Sequence, residues 1–229
     1  MFKRAFVLFA EHETERTKHL EAMYRVLPAL EVVEPIFPSQ THVPFLEAMV
    51  DKSRARTGKA LLPTEIGVIL SHRKIWAKIA KEKTNEHFLV LESDSRILKP
   101  ELLHSETAEK FDLFFWGAWN GYMSLKKSTV NNGIGEPLIK SVYCTYGYSL
   151  NAKGAAYLLK HSNKVAYPID LFKHYVNPKE IKLGGIVPEV ISSWKNIMPM
   201  TIAAVIALYF FAILVNCFKW KLFLPEQGF

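Results

Sequence analysis

Apolar and polar positions alternate along most of the chain in a pattern that predicts strands and helices in turn. Short runs of apolar and β-branched residues predict strands at residues 5–9, 32–37, 88–91, 112–116 and 142–150. Helical spacing of apolar residues predicts helices at residues 17–27, 63–82 and 151–161. This alternation is typical of an α/β domain. The fully apolar run 88–91 predicts a central strand buried on both faces, and the prolines around 32–37 predict an edge strand or a short one.

The segment 63–82 carries the clearest helical pattern. Thr64 is its predicted N-cap, and one side presents a charged stripe that includes Lys74 and Lys78. The opposite side carries Ile69 and Trp76 and is expected to face the core. The polar, glycine-containing stretch 120–137 predicts a long loop, and a loop of that length is often functional.

The C-terminal part has a different character. Residues 196–218 contain no charged side chain, and about 20 residues of this kind are enough to cross a bilayer as a helix. The sequence therefore predicts a domain at 1–195, a membrane-associated or transmembrane helix at 196–218 and a short tail at 219–229. Two alternatives stay open: a terminal helix buried in a soluble domain and a helix that lies in the membrane interface.

The net charge of +7 on 229 residues favours anionic partners such as nucleic acid, acidic lipids or a nucleotide diphosphate. The basic residues are spread along the chain without a recognition motif or a basic helix, which argues against nucleic acid. The chain has two cysteines and no Cys and His spacing of the kind found in metal sites. This suits a reducing compartment, and residues 1–9 lack the length and cleavage site of a secretion signal.

The apolar strand at 88–91 is followed by Glu92, Ser93 and Asp94. In open α/β sheets, ligands bind beyond the carboxyl ends of the strands. Two carboxylates at such an end can hold a divalent cation, and a hard cation bridges carboxylates to the oxygens of a nucleotide diphosphate. Acidic residues also end many buried strands as turn-formers or helix N-caps, so the triplet alone leaves both interpretations open.

Several short motifs lie around this triplet, in order, between residue 5 and about residue 197. They are Phe6-Val7-Leu8 with Arg16, the segment from Thr64-Glu65-Ile66-Gly67 through Ser71-His72-Arg73 to Trp76, the strand and triplet Leu89 to Asp94, and the later segments Phe111-Asp112-Leu113, Gly147-Tyr148-Ser149-Leu150, Gly154-Ala155 and Pro168-Ile169-Asp170. Together they resemble family 25 of the glycosyltransferases, which includes lipooligosaccharide galactosyltransferases of Gram-negative bacteria. The chain departs from the family pattern at Ser93, where the family usually has an aspartate, and at Ala10-Glu11-His12, where a version with asparagine is commoner.

The resemblance implies a GT-A-like nucleotide-sugar-binding fold with a mostly parallel central sheet, and transfer of a hexose with inversion at the anomeric carbon. The expected donor is a UDP-sugar, commonly UDP-galactose, and the expected acceptor is a core sugar of lipooligosaccharide or lipopolysaccharide. Glu92 and Asp94 would hold a divalent cation, with Mn²⁺ the expected ion, and Arg16 and Ser71 would help to bind the donor. Since the acceptor is a membrane lipid, the expected location is the cytoplasmic face of the bacterial inner membrane, which the lysines before residue 196 also favour.

An inverting displacement needs a general base to take the proton of the acceptor hydroxyl. Asp170 is the first candidate, as the base or as a sugar-binding group, and a helix N-cap is its alternative role. Glu65 and His72 are further catalytic candidates. Glu65 equally suits the first turn of a helix, where its charge complements the dipole, and the position of His72 on an apolar stripe equally suits a hydrogen-bonded core histidine.

The remaining candidates have stronger structural alternatives. His174 is a candidate metal ligand or diphosphate contact, and Asp112, at the start of a strand, favours a structural role. Trp116, Trp119 and Tyr122 are candidates for a sugar-stacking wall, although an aromatic cluster more often belongs to a core. A second function from another class also stays open: a catalytically decayed, membrane-anchored protein that binds nucleotide-sugars, which the serine in the acidic triplet would favour.

Overall fold

Strands and helices alternate along the chain as the sequence predicts. The computed structural model describes residues 2–82, 84–118, 123–143 and 146–193. Its strands are β1 (Ala5–Leu8), β2 (Leu30–Val33), β3 (Phe88–Glu92), β4 (Ser95–Ile97), β5 (Leu113–Phe115), β6 (Ile134–Gly135), β7 (Gly147–Leu150), β8 (Leu183–Ile186) and β9 (Ile191–Ser193). Its α-helices are α1 (Thr17–Val26), α2 (Leu46–Thr57), α3 (Pro63–Ile79), α4 (Ser105–Ala108) and α5 (Ala152–His161).

The described strands form a large mixed sheet in the order β2-β1-β3-β7-β5-β8-β6. β1 is parallel to β2 and β3, and β5 is parallel to β8. β7 runs antiparallel to β3 and β5, and β6 runs antiparallel to β8. Strands β1, β2, β3, β5 and β8 therefore share one direction, which confirms an α/β domain with a mostly parallel central sheet. A separate antiparallel pair joins β4 to β9.

The two strands singled out by the sequence have the predicted places in the sheet, one central and one at an edge. β3 is flanked by β1 and β7, and its residues 88–91 are buried. β2 forms one edge of the sheet, as predicted, but it spans Leu30–Val33 and overlaps the predicted segment 32–37 only at Val32 and Val33. The predicted strand at 142–150 is too long, because β7 and its pairing with β3 begin at Gly147.

The start of α3 corrects the predicted helix cap. Leu62 is the N-cap and Pro63 is the first helical residue, so Thr64 already lies inside the helix. Proline suits this position because its fixed φ is helical and its missing N–H would have no partner there. The carboxylate of Glu65 accepts a hydrogen bond from the backbone N–H of Leu62 at 2.7 Å, which satisfies one of the exposed donors at the helix start.

The faces of the sheet carry two apolar layers, because successive residues of a strand point to opposite sides. In β1, Phe6 and Leu8 join the layer that contains the buried faces of α3 and α5. Ala5 and Val7 join the other layer, together with Met23 of α1. The sheet is therefore covered on both sides, as expected for an α/β domain.

Two sets of predictions fall outside the described residues. One is the apolar helix at 196–218 with the tail at 219–229, and the other is the pair Trp119 and Tyr122. Across the residues that the structure does describe, no helix is both long and apolar enough to span a membrane.

Trp116 belongs to the core, since its side chain is fully buried, and its suggested place in a sugar-stacking wall is therefore wrong. Its indole N–H donates to the hydroxyl of Ser149 at 3.0 Å. The same hydroxyl lies 3.1 Å from Nδ1 of His87, whose Nε2 lies 2.9 Å from the carbonyl oxygen of Phe111. A carbonyl only accepts, so His87 carries its proton on Nε2, and Ser149 donates its own proton to Nδ1. This buried series of hydrogen bonds links β7 to the residues on either side of β5 and to the start of β3.

Burial of His87 predicts a dependence of stability on pH. Burial lowers the pKa of His87 below its ordinary value of 6.5, although the hydrogen bond to Phe111 opposes the shift. As the pH falls below about 6.5, the unfolded chain takes up a proton that the folded chain resists, so the free energy of unfolding should decrease. Urea unfolding at pH 7.5 and 5.5 measures this, and His87→Gln, which cannot titrate, should show the smaller decrease. An equal decrease in both proteins would contradict the assignment.

Candidate active site

β1 and β3 are parallel neighbours with Leu8 opposite Glu92, so their carboxyl ends lie side by side. We call this side of the sheet, where the parallel strands end, the carboxyl edge. The loop after β1 brings Arg16 to this edge. Its guanidinium Nη1 donates to the hydroxyl of Ser93 in the turn after β3. Arg16 and the acidic triplet, which lie 77 residues apart in the chain, are therefore assembled in one place, as the sequence led us to expect.

The turn between β3 and β4 is held by a short network of hydrogen bonds. The backbone N–H of Glu92 donates to the hydroxyl of Ser95 at 2.9 Å, and that hydroxyl donates to the carbonyl of Tyr146. On the other side of the turn, Ser193 donates to Oδ2 of Asp94 at 2.9 Å. Ser193 pairs with Ser95 in the β4–β9 ladder. Strand pairing thus fixes the backbone that carries both carboxylates.

His72 connects the side chain of Glu92 to the core. Its Nε2 lies 3.2 Å from Oε1 of Glu92, and its Nδ1 lies 2.9 Å from the hydroxyl of Tyr148. The indole of Trp76 donates to the same hydroxyl at 2.8 Å. These contacts confirm that the 71–72 pair of α3 lies next to the end of β3.

The hydrogen-bond geometry selects one tautomer of neutral His72. Burial raises the pKa of the Tyr148 hydroxyl well above its ordinary value, so this group keeps its proton. Because Trp76 already donates to the Tyr148 oxygen, the Tyr148 proton can be given to Nδ1 of His72. Nε2 of His72 then carries the ring proton and donates it to Glu92. His72 is fully buried, so it orients Glu92 from behind; this is the core role that its apolar stripe also allowed.

Arg16 also forms an ion pair with Glu13. Its Nη1 lies 2.7 Å from Oε1 of Glu13, and both side chains are about four-fifths buried, with 19% and 20% of their surface exposed. Nε of Arg16 is also buried and has no hydrogen-bond partner within the described residues. The guanidinium is thus rigidly placed beside the acidic turn and keeps an unused donor, as suits a group that binds an oxyanion.

Ser71 and Glu65, which the sequence proposed for donor binding and catalysis, both make structural contacts. The hydroxyl of Ser71 donates to the carbonyl of Gly67 at 2.7 Å and accepts from the N–H of Ile36 at 2.8 Å. A Cβ at Gly67 would lie 2.4 Å from the carbonyl oxygen of Ile36, so only glycine allows this close approach. Ser71 therefore fastens α3 to the loop after β2, and Glu65 caps α3.

Asp170 and His174 lie on the loop that follows α5. Asp170 is exposed in a turn after Pro168, and the next 3-10 turn begins only at Phe172 with Leu171 as its N-cap, so the N-cap role of Asp170 is wrong. Phe172 anchors this loop, since its ring packs edge-on against Tyr148 at 5.9 Å. The loop thereby contacts Tyr148, which belongs to the hydrogen-bonded series of residues that orients Glu92. His174 stacks on Tyr167, with ring centroids 3.7 Å apart.

Asp112 has the structural role that its position favours. Its Oδ2 accepts from Nζ of Lys153 at 2.8 Å and from the backbone N–H of Lys182 at 3.0 Å. Burial by itself would raise the pKa of Asp112, but the hydrogen bonds from Lys153, Lys182 and Asn151 together lower it. Asp112 thus joins β5, β8 and α5.

Glu189 is a carboxyl group at the same edge that the sequence analysis missed. It follows β8, and its Oε2 lies 3.3 Å from the hydroxyl of Tyr146, which also donates to the carbonyl of Ala118. Burial raises the pKa of Glu189, although hydrogen bonds from Ser192 and Tyr146 oppose the shift. The available signal was the position of Glu189 just beyond a strand, but that strand contains two glycines and was not predicted.

The donor set at the acidic turn fits a cation that is shared with a nucleotide. In the described part of the chain, no group of three or more His, Cys, Asp or Glu side chains is placed to hold a metal ion. Glu92 and Asp94 supply two carboxylates at one turn. Mg²⁺ and similar cations are often bound by one or two carboxylates together with substrate phosphates, so this pair is adequate if a diphosphate completes the coordination.

Comparison with known sequences agrees with the motifs. A sequence model of glycosyltransferase family 25, described as LPS biosynthesis proteins, matches residues 10–173. No curated protein sequence matches the chain.

Proposed function

The chain belongs to glycosyltransferase family 25, and from this premise we propose that it transfers a hexose from a nucleotide-sugar to a core sugar of lipooligosaccharide or lipopolysaccharide. The proposed donor is UDP-galactose, and the reaction inverts the anomeric carbon with the help of a divalent cation such as Mn²⁺. The proposed fold is GT-A-like, and the proposed location is the cytoplasmic face of the inner membrane.

One observation carries this proposal: an acidic turn leaves a buried central strand and lies against a rigidly held arginine. Arg16 contacts Ser93, and Glu92 and Asp94 are the residues on either side. A diphosphate needs positive charge and a cation needs carboxylates; Arg16 offers the first and the turn at 92–94 offers the second, side by side in the fold. Ligands of open α/β sheets bind at this edge.

The residues have distinct proposed roles in the displacement. Glu92 and Asp94 would hold the cation, which neutralises charge on the departing diphosphate. Arg16 binds diphosphate oxygens, and His72 fixes the orientation of Glu92. Asp170 takes the proton of the acceptor hydroxyl while that oxygen forms a bond to the anomeric carbon and the bond to the diphosphate breaks.

A donor screen tests the function. Purified full-length protein is incubated with Mn²⁺, truncated lipooligosaccharide and a panel of UDP-hexoses, and the product is followed by mass spectrometry. We expect a mass increase of one hexose with UDP-galactose, and loss of this product when EDTA is added. Transfer that persists in EDTA would contradict the role of the cation, and absence of transfer from every UDP-hexose of the panel would contradict the proposed function.

Ser93 also favours a second candidate, a catalytically decayed protein that retains nucleotide-sugar binding. The structure offers a reason to prefer the enzyme: the side chain of Ser93 meets Arg16, and Glu13 supplies a carboxylate to that same guanidinium. The serine therefore alters the pairing of Arg16 and leaves Glu92 and Asp94 in place. Calorimetry separates the two. Binding of UDP that depends on Mn²⁺ counts against decay, and absence of both UDP binding and donor hydrolysis supports it.

A further inference from the structure

A cavity of about 610 Å³ lies between α2 and the segment that follows α5. Its apolar part is formed by Met49 of α2 and by Val165 and Ala166 of the segment. Lys52, Arg56 and Lys164 are its charged lining residues, and no carboxylate lines it. The cavity thus has apolar residues at its base, and every charged residue at its rim is basic.

The sequence of α2 separates its charges by face. At 100° per residue, Met49, Lys52 and Arg56 fall on one side of the helix, whereas Glu47 and Asp51 fall on another. Asp51 accepts from Arg54 at 3.3 Å on that other side. Within the described part of the chain, none of the three rim cations forms an ion pair. Their charge is therefore available to an external partner.

Phe45 adds an exposed apolar group to this surface. It precedes α2, lines the cavity and has 80% of its surface exposed. Its backbone has a positive φ of 61°, a conformation that costs a non-glycine residue free energy. The neighbouring wall is firmly held, because Arg73 donates to the carbonyl of Leu159 at 2.8 Å and to Oδ1 of Asn163 at 3.1 Å.

The surface and the candidate active site lie toward the same end of the sheet. β7 runs antiparallel to β3, with Gly147 opposite Leu91. The last residue of β7 therefore lies at the end of the sheet that is far from the acidic turn. α5 starts there, packs on α3 and returns toward the edge of the acidic turn, where residues 163–166 follow it. A membrane in contact with this surface would therefore be near the end of the domain at which an acceptor is proposed to react.

We propose that Phe45, Lys52, Arg56 and Lys164 form a docking surface for an anionic lipid bilayer, with the basic residues at the headgroups and Phe45 inserted below them. Charge complementarity selects this partner: basic residues are attracted to anionic lipid surfaces, and an aromatic side chain beside them adds apolar burial. The inference deepens the proposed function, on which it rests for the position of the acceptor, and it does not depend on the C-terminal apolar segment.

Vesicle binding tests the docking surface in the full chain, so the C-terminal segment is the same in every protein. Partitioning is measured by co-sedimentation with vesicles of phosphatidylcholine alone and of phosphatidylcholine mixed with phosphatidylglycerol. We expect the triple variant Lys52→Gln, Arg56→Gln, Lys164→Gln to lose roughly a hundredfold of its preference for the anionic vesicles, as three basic residues near such a surface predict. Phe45→Ser should weaken binding to both kinds of vesicle several-fold.

A matched control removes the same charge elsewhere. The triple variant Lys110→Gln, Lys127→Gln, Lys179→Gln changes three exposed lysines and should keep most of the preference for anionic vesicles. An equal loss in both triple variants, or no loss in the first, would overturn the proposal. Sedimentation without lipid tests whether a second copy of the chain occupies the surface. If the unaltered protein is a dimer and Phe45→Ser is a monomer, the surface belongs to a dimer interface and the proposal is overturned.

Transfer to a short, soluble acceptor separates this proposal from the proposed function. We expect all of these variants to transfer sugar to such an acceptor at the rate of the unaltered protein. If no protein transfers sugar but the vesicle results are as expected, the proposed function fails and the docking surface stands. If transfer is normal and vesicle binding is unaffected by the first triple variant, the docking surface fails alone.

Discussion

Replacing Asp94 with alanine is expected to lower cation-dependent sugar transfer by roughly a hundredfold to a thousandfold, the effect of removing one electrostatic contact to a charge that develops in the reaction. Within the described residues the acidic turn has no third metal-ligating side chain, so one carboxylate lost is half of the protein's contribution. The measurement is the initial rate with UDP-galactose over a series of Mn²⁺ concentrations. The apparent affinity for Mn²⁺ should fall together with the maximal rate.

Two control variants show whether the carboxylate itself is responsible. Ser193→Ala removes the hydrogen bond to Oδ2 but keeps the charge, and an outer contact of this kind is worth roughly tenfold to a hundredfold at most. Asp51→Ala removes one exposed carboxylate from α2, where the ion pair with Arg54 is worth little, and should leave transfer unchanged. Full cation-dependent turnover in folded Asp94→Ala would show that the metal site is assigned to the wrong residues.

The sequence predicted best where burial leaves a strong pattern. Residues 88–91 are apolar without a break, and they form the central part of β3. The acidic turn follows directly from the end of that strand, so its place at the ligand-binding edge could be predicted as well. Arg16 could be brought to this turn only through the resemblance to a family, because no local pattern joins residues 77 positions apart.

Elements that lack such a pattern were missed. The apolar residues that α2 packs against the core, Leu46, Met49 and Val50, lie in its first turns, and its fully buried residue is the polar Ser53, so the apolar pattern is too short to predict a helix. β8 contains Gly184 and Gly185, which have low strand propensity, and a Cβ at Gly184 would lie 2.5 Å from the ring of Phe114. Close packing, rather than propensity, selects glycine in this strand. Glu189 was missed for the same reason, since its position depends on β8.

Motif residues also proved harder to assign than motif positions. Ser71 and His72 were proposed as site residues because they lie in a family motif, and α3 does lie against the end of β3. Yet Ser71 bonds Ile36 and Gly67, and His72 is buried behind Glu92. A motif identifies a place in the fold, whereas the role of each side chain depends on which way it points, and that follows from packing.

Adjacent residues of β7 offer a test that separates stability from catalysis. Tyr148 and Ser149 each accept from a buried tryptophan and each contact Nδ1 of a histidine, on opposite faces of the sheet. The chain through Tyr148 ends at Glu92, and the chain through Ser149 ends at the carbonyl of Phe111. The two hydroxyls are thus similar in burial and bonding but different in what they orient.

Tyr148→Phe and Ser149→Ala should therefore destabilise the fold to a similar extent, by about 3 kcal/mol each, because either change leaves two buried polar groups without their partner. Only Tyr148→Phe should also lower transfer by the folded protein, by roughly tenfold to a hundredfold, as expected for loss of an outer contact to a metal ligand. Without the Tyr148 hydroxyl, Nδ1 of His72 loses its partner and the imidazole is held less firmly, so the hydrogen bond from Nε2 to Glu92 is weakened.

Urea unfolding measures the first effect, and initial rates at a temperature where both variants are folded measure the second. A higher Mn²⁺ concentration should restore part of the activity of Tyr148→Phe, because the weakened step is cation binding by a misoriented Glu92. Ser149→Ala should show the Mn²⁺ dependence of the unaltered protein. Equal losses of activity in the two variants would mean that the chain from Trp76 to Glu92 supports the fold alone and that Glu92 does not depend on His72 for its orientation.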